Sequence, residues 1–352
     1  MRLLVWQWGR FGAGPKYAAA LAGALDAALS LSTGAELLGG ADAPRCDLAV
    51  PTYRGLGSLL GRLAMAPLRI GGLVRALRLM RLDAAICAMP APLDLLMVVA
   101  LRRLGVPIWV VVHDADSHPG DRFPLQMRLQ QALCRRATGL IGLSSHVRDR
   151  LLTQGFSPVL LSHLPPLAFG PVPPPPRAHG GPLRLLVFGR LLPYKGLDLL
   201  PATLRLLGCA GIELRVVGQG PETPTLDALR AIPCATVENR WVPESEVGEL
   251  LAWADALVLP YHEASQSGAA AAALAAGRWV VATKVGGLVE QLDGAASARL
   301  CEPRPEALAE AIQSLISAPP CATMGEIGEE WRLAAEQIRR GIRSRPETVY
   351  TT

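Results

Sequence analysis

Closely paired cysteines are absent. The seven cysteines (Cys46, Cys87, Cys134, Cys209, Cys234, Cys301 and Cys321) are odd in number, widely spread and form no CxxC motif. That spacing argues against a disulfide framework and against a zinc site, and it fits a reducing cytoplasm. Long hydrophobic runs are missing as well. The longest candidates, residues 93–100 and 106–112, fall far short of the about 18 uncharged residues a spanning helix needs, so no membrane crossing is expected. Residues 1–5 form a short apolar run that leads into "WQWGR", without the apolar length or small-residue cleavage site of a signal peptide, and no signal sequence is expected. Acidic residues are absent from residues 49–82, which hold Arg54, Arg62, Arg69, Arg75, Arg78 and Arg81 within a net charge of +5. Two readings of this leucine- and arginine-rich segment stay open: a helix lying on an anionic membrane surface, with Arg62, Arg69, Arg75 and Arg78 facing it, or a solvated amphipathic helix. Residues 56–82 contain no aromatic side chain to stack on bases, so no nucleic acid partner is expected.

The chain has 352 residues, half of them apolar. That is enough for two cores of roughly 150 residues each. Up to about residue 161, short apolar runs (3–5, 84–88, 108–112 and 139–143) alternate with helical patterns, which predicts a parallel sheet wrapped by helices. "PPLAFGPVPPPPRAHGG", residues 165–181, carries seven prolines and breaks the pattern. A second series of predicted strands follows at 183–188, 212–217, 236–238, 256–259, 279–283 and 298–300. The expected organisation is an N-terminal domain over 1–165, a linker over 166–181, a second domain over 182–320 and a C-terminal helical stretch over 321–352. Two such domains facing each other would leave a cleft, the default ligand site.

Chemistry-bearing residues cluster where strands give way to helices. In "FGRLLPYKG", residues 188–196, Arg190 and Lys195 follow a buried strand; an arginine fork and a lysine point charge beside a helix start suit a diphosphate. In "VLPYHEASQSGAAAAALAAGRWVVATKVGG", residues 258–287, Ser265 or Ser267 can cap a helix and Gly268 lets an anion approach its free amides. Gly12 and Gly14 occupy a loop after the first strand, but Tyr17 stands where a dinucleotide fingerprint needs its third glycine. His113 ends the apolar run 108–112, where it either contacts a ligand or is structural; with Asp114 and His118 it lacks a third well-spaced metal ligand. Ser144, His146 and His163 form no nucleophile elbow.

"GRLLPYKG", "VVGQGPE" (216–222), "WVPESEVGELLAWADALVLPY" (241–261) and "SQSGAAAAALAAGRWVVATKVGGLVE" (265–290) occur in an order and spacing that resembles the retaining glycosyltransferases of family 4. The resemblance implies an α/β GT-B architecture, with two facing Rossmann-like domains, an interdomain cleft and a last helix crossing back to the N-terminal domain. It implies that Arg190 and Lys195 contact the donor diphosphate and that Ser267, Gly268 and Ala269 approach phosphate or sugar. By the same resemblance Gly189, Gly218, Gly220, Arg240 and Val242 line the nucleotide pocket, Glu290 is the acid after the Gly-Gly turn, and the Gly12–Gly14 loop closes over the diphosphate. His113 then joins Arg190 and Lys195 as a catalytic-site residue. Two departures stand out: the family's paired glutamates fall at Ala264 and Ala272, which leaves Glu263, beside the first, as the donor-binding residue expected to touch the sugar, and Trp279 replaces a usual proline.

The implied substrate is a nucleoside-diphosphate sugar of UDP or GDP type, with no cofactor or metal required. The implied acceptor is a hydroxyl on a lipid-linked saccharide used in envelope or exopolysaccharide synthesis, at the inner face of the cell membrane. Two alternatives remain: a nucleotide-sugar epimerase on the same fold, or a binding protein without transferase activity.

Overall fold

Runs made almost wholly of Leu, Val, Ile and Ala become the central strands, because a parallel sheet covered on both faces leaves no wet side for polar residues. The computed structural model describes residues 1–40, 43–116, 124–170, 172–318, 320 and 327–344. These divide into two units, one built from the chain up to Asp116, the stretch ending at His163 and the chain from Trp331 onward, the other from Leu164 to Glu330.

The first unit holds strands β1 (Leu3–Gln7), β2 (Ala28–Ser32), β3 (Leu48–Val50), β4 (Ala84–Cys87), β5 (Ile108–Val112), β6 (Gly139–Gly142) and β7 (Val159–Leu161). They lie in the order β3-β2-β1-β4-β5-β6-β7, and every pairing is parallel. The strand order reverses between β1 and β4, the switch point at which open α/β sheets bind ligands. Its helices are α1 (Ala13–Ala24), α2 (Leu56–Ala64), α3 (Ala66–Met80), α4 (Asp94–Arg103), α5 (Pro124–Cys134) and α6 (Ser145–Thr153).

The second unit holds β8 (Leu183–Phe188), β9 (Ile212–Gly218), β10 (Ala235–Asn239), β11 (Ala256–Leu259), β12 (Trp279–Thr283) and β13 (Ala298–Cys301), all parallel, in the order β10-β9-β8-β11-β12-β13. Its switch point lies between β8 and β11. The intervening helices are α7 (Leu200–Leu207), α8 (Pro224–Arg230), α9 (Glu244–Trp253), α10 (Gly268–Ala275), α11 (Gly287–Leu292) and α12 (Pro305–Ile316). The proline-rich segment is tied to this unit: the Leu167 amide donates to the Ala271 carbonyl at 3.1 Å, and the buried Arg278 donates to the carbonyls of Leu251 at 2.6 Å and Pro174 at 3.0 Å.

The last helix, α13 (Ile327–Arg343), belongs from Trp331 onward to the first unit. Trp331, Ala334, Ala335 and Ile338 are buried, Trp331 meets the Tyr17 ring at 5.4 Å, and Arg339 donates to the Leu25 carbonyl.

Two expectations are corrected. Cys209 and Cys234 form a disulfide, with Cα atoms 5.3 Å apart. Twenty-five residues separate them in sequence, but β9 and β10 are parallel neighbours, so the turns that precede them meet at one edge of the sheet. The basic segment is not one helix but two, α2 and α3, because Pro67 enters α3 in its first turn, where a missing amide is tolerated. His118 and Cys321 lie outside the described residues. Among the described residues no helix is long and apolar enough to cross a membrane.

Candidate functional site

At the carboxyl end of the second sheet, Gly189 follows β8 and the chain turns through a single tight helical turn, Pro193–Lys195, into Gly196. Gly196 has φ +63°, and a Cβ there would come within 1.8 Å of the Pro260 carbonyl oxygen, so this turn is pressed against the end of β11. Only glycine fits. Contact between the two strand ends brings the cations to the aromatic rings. The Lys195 ammonium lies 3.8 Å from the centre of the Tyr261 ring and 5.0 Å from that of Tyr194, and Arg190 Nη2 reaches the Tyr194 hydroxyl at 3.3 Å.

Tyr261 carries the contact onward, with its hydroxyl 3.3 Å from Ser267 Oγ. Burial pushes its pKa up to about 12, so the phenol stays protonated at neutral pH, and the nearby Arg190 charge opposes that shift only in part. Ser267, not Ser265, caps α10: its Oγ accepts the Ala270 amide at 3.2 Å. Gln291 pins the same residue from α11, accepting the Ser267 amide at 2.7 Å and donating to its carbonyl at 3.0 Å. Through the buried Tyr194, Tyr261 and Ser267, Arg190 and Lys195 are thus linked to the amide-rich start of α10. A helix N-terminus and two cations in register attract an anion. Gly268 and Ala269 form the first turn of α10, Glu290 sits exposed in the first turn of α11, and Glu263 is exposed in the loop between β11 and α10.

Other expected donor contacts turn out to have packing roles of their own. A Cβ at Gly218 would lie 1.7 Å from the Gly189 carbonyl oxygen, and one at Gly220 would lie 2.1 Å from that of Leu191, so these glycines let the loops after β8 and β9 touch. Arg240 is held by Glu238 at 2.8 Å and by Glu246, whose Oε2 accepts from Nη1 at 2.8 Å, while Val242 is half-buried beside the core. Ala264 and Ala272, where the family's glutamates would stand, are both buried, and the Ala264 carbonyl accepts the Gly287 amide at 2.9 Å. A carboxylate at either position would be desolvated in the core. Trp279, in the place of the usual proline, lies under the Arg299 guanidinium at 4.4 Å.

In the first unit, Gly12 precedes α1 with φ +84°, and Gly14 packs against the Gln7 side chain, whose Oε1 accepts the Gly9 amide at 2.9 Å. His113 directly follows β5. It is buried, its Nε2 is 3.1 Å from the Ala88 carbonyl, and the Tyr17 ring meets it edge-on at 5.2 Å. Burial lowers its pKa, so it is neutral at pH 7 with the Nε2 proton on Ala88. Beside the switch point lies Asp94, which the sequence reading missed. It is buried, accepts the Ala91 amide at 2.6 Å and the Cys87 thiol at 3.4 Å, and burial pushes its pKa up to about 7. Nothing in the sequence sets Asp94 apart from an ordinary first-turn acid. Tyr194 and Tyr261 carried a signal, since each stands inside a stretch already singled out. Among the described residues no group of three or more His, Cys, Asp or Glu is placed to hold a metal ion.

Residues 182–318 match the family described as glycosyl transferases group 1, and residues 12–166 match the glycosyl transferase 4-like domain. No curated protein matches the sequence. Among solved structures, a glycosyltransferase from Rickettsia africae is 14% identical over 97% of each chain, with a TM-score of 0.63. Anabaena Alr3699/HepE, crystallised with UDP and glucose, is 16% identical over 98% of this chain and 100% of its own, with a TM-score of 0.65. A sucrose-phosphate synthase from Thermosynechococcus elongatus is 16% identical over 97% and 98%, with a TM-score of 0.62. At these identities the likeness is one of fold.

Proposed function

We propose that this chain, which belongs to the group 1 glycosyl transferases and is a glycosyltransferase of GT-B fold, moves a sugar from a nucleoside diphosphate to an acceptor hydroxyl with retention at the anomeric carbon. The observation that carries the reading is the convergence of Arg190 and Lys195 with the start of α10, through Tyr194, Tyr261 and Ser267. A diphosphate seated there gains two positive charges and free helix amides. As the bond from the anomeric carbon to the phosphate oxygen breaks, the same groups stabilise the growing charge on the leaving group. The acceptor oxygen bonds to the anomeric carbon from the same face, and its proton passes to the departing phosphate oxygen. His113, neutral and buried beside Tyr17, positions polar groups of the substrate and does not act as a charged acid.

The donor is of UDP or GDP type, and the UDP bound in the Anabaena structure supports the first of these. Residues 182–320 bind that donor, residues 1–165 bind the acceptor and residues 166–181 link them; of the C-terminal stretch 321–352, the described helix packs with the first unit from Trp331 onward. The acceptor is a lipid-linked saccharide of envelope or exopolysaccharide assembly, reached at the inner face of the cell membrane. The support for this is α2 and α3, which expose Leu60, Leu68 and Leu79 together with Arg69, Arg75 and Arg78.

The test is incubation with a panel of UDP- and GDP-sugars, with and without lipid-linked saccharides, following free nucleoside diphosphate and the anomeric configuration of the product. Release with a retained anomer is expected from at least one donor. Failure with every donor would sink the reading, and an epimerised nucleotide sugar would replace it.

A further inference from the structure

A cavity of about 380 Å³ opens in the first unit beneath α3. This is within the roughly 300–1,000 Å³ in which proteins take small ligands. Trp8, just after β1, Pro51, just after β3, and Leu93, which leads into α4, line one side; Ile70, Gly72 and Leu73 of α3 line the other. Apart from Arg62 and Arg69, every residue that lines it is apolar. Asp94, next to the lining residue Leu93 at the start of α4, is buried, and its Oδ2 accepts the Ala91 amide and the Cys87 thiol.

A closed hydrocarbon-lined space inside a core is filled by the protein's own side chains. This one runs from the buried Trp8 and Leu93 out to the surface, with Leu68 76% exposed at its edge. Exposed apolar surface of this kind marks an interaction site. Two guanidinium groups in an otherwise apolar wall select an amphiphile with an anionic head, since each has an apolar stem and a cationic tip.

We propose that this cavity holds the hydrocarbon chain of the acceptor, a lipid phosphate or diphosphate whose head group pairs with Arg62 and Arg69. The proposal rests on the lipid-linked reading above and deepens it by naming the subsite. Location favours an acceptor over a passive bilayer lipid. Trp8 and Pro51, which line it, directly follow β1 and β3, so the cavity opens beside the carboxyl edge of the sheet, where ligands bind.

The test is calorimetric titration of the full chain with dodecyl phosphate below its micelle concentration. One saturable site is expected, with no binding of inorganic phosphate alone. Gly72→Phe should weaken it at least tenfold by filling the cavity: a Cβ at Gly72 meets no atom within 4 Å, so the fold is not threatened. Arg69→Gln, at an exposed position, should weaken it several-fold with the melting temperature unchanged. Absence of saturable binding, or wild-type binding by Gly72→Phe, overturns the proposal. Sedimentation with phosphatidylglycerol vesicles separates the two lipid sources. Equal vesicle binding by wild type and Gly72→Phe supports an acceptor chain, and its loss in Gly72→Phe assigns the cavity to bilayer lipid and overturns the acceptor assignment. Nucleoside diphosphate release is scored on the same preparations. Release without dodecyl phosphate binding removes the cavity assignment alone, whereas binding without release from any donor removes the transferase reading and leaves a chain-binding site.

Discussion

The ammonium of Lys195 rests 3.8 Å from the centre of the Tyr261 ring, and the hydroxyl of that ring lies 3.3 Å from the Ser267 side chain that caps α10. One buried tyrosine thus joins the loop after β8 to the helix after β11, across the switch point of the sheet. The ring sets the lysine's position without neutralising it, because a cation over an aromatic face keeps its full charge.

Lys195→Ala and Arg190→Ala should each lower kcat by about 100-fold or more, the usual loss when one group that stabilises developing charge is removed. Steady-state kinetics on whichever nucleotide sugar of the panel is turned over would check this. Melting temperatures should barely move, since Arg190 is exposed and Lys195 half-buried.

Tyr261→Phe and Tyr261→Leu separate the ring from its hydroxyl. The phenylalanine variant keeps the cation over an aromatic face and should retain kcat within a few-fold. Loss of the ring in the leucine variant removes about 1–2 kcal/mol of lysine positioning, roughly a tenfold drop in kcat. Equal kinetics in the two variants would show that Lys195 is placed by something other than the ring.

Neutralising Arg75 and Arg78 together should sharply weaken binding to anionic vesicles and leave donor hydrolysis intact. In the wild type, raising salt should reverse the binding, because exposed charges are screened beyond about 10 Å at 0.1 M ionic strength. Vesicle sedimentation across a salt series reads both.

Asp94 makes stability depend on pH. Burial raises its pKa to about 7 from an ordinary value near 3.8, so between those values the folded chain binds a proton that the unfolded chain has released. Stability from this group therefore falls as pH rises from about 4 to about 7, and is level above that. Asp94→Asn keeps an oxygen for the Ala91 amide and removes the titration. The difference in melting temperature between variant and wild type should grow in the variant's favour from pH 5 to pH 8, and a constant difference would exclude Asp94 as the source.

The central strands of both sheets were legible because β1, β4, β5, β8, β11 and β12 are nearly unbroken apolar runs. β2 was not, since Ser30 and Ser32 interrupt it, and the three-residue edge strands β3 and β7 carry too few residues for any period to show. Of the site, Arg190, Lys195 and Ser267 could be named from their places after strands. Local sequence by itself determined which residues end strands and start helices, for those choices rest on hydrophobic runs, glycine and capping side chains a few positions apart. Contacts between distant segments were decided by the tertiary structure alone: Tyr261 under Lys195, Gly218 against Gly189, Cys209 joined to Cys234. Each of these depends on which strands become neighbours. That order is set by how whole faces of helices and sheet bury their apolar area together, a property no short stretch of the chain contains.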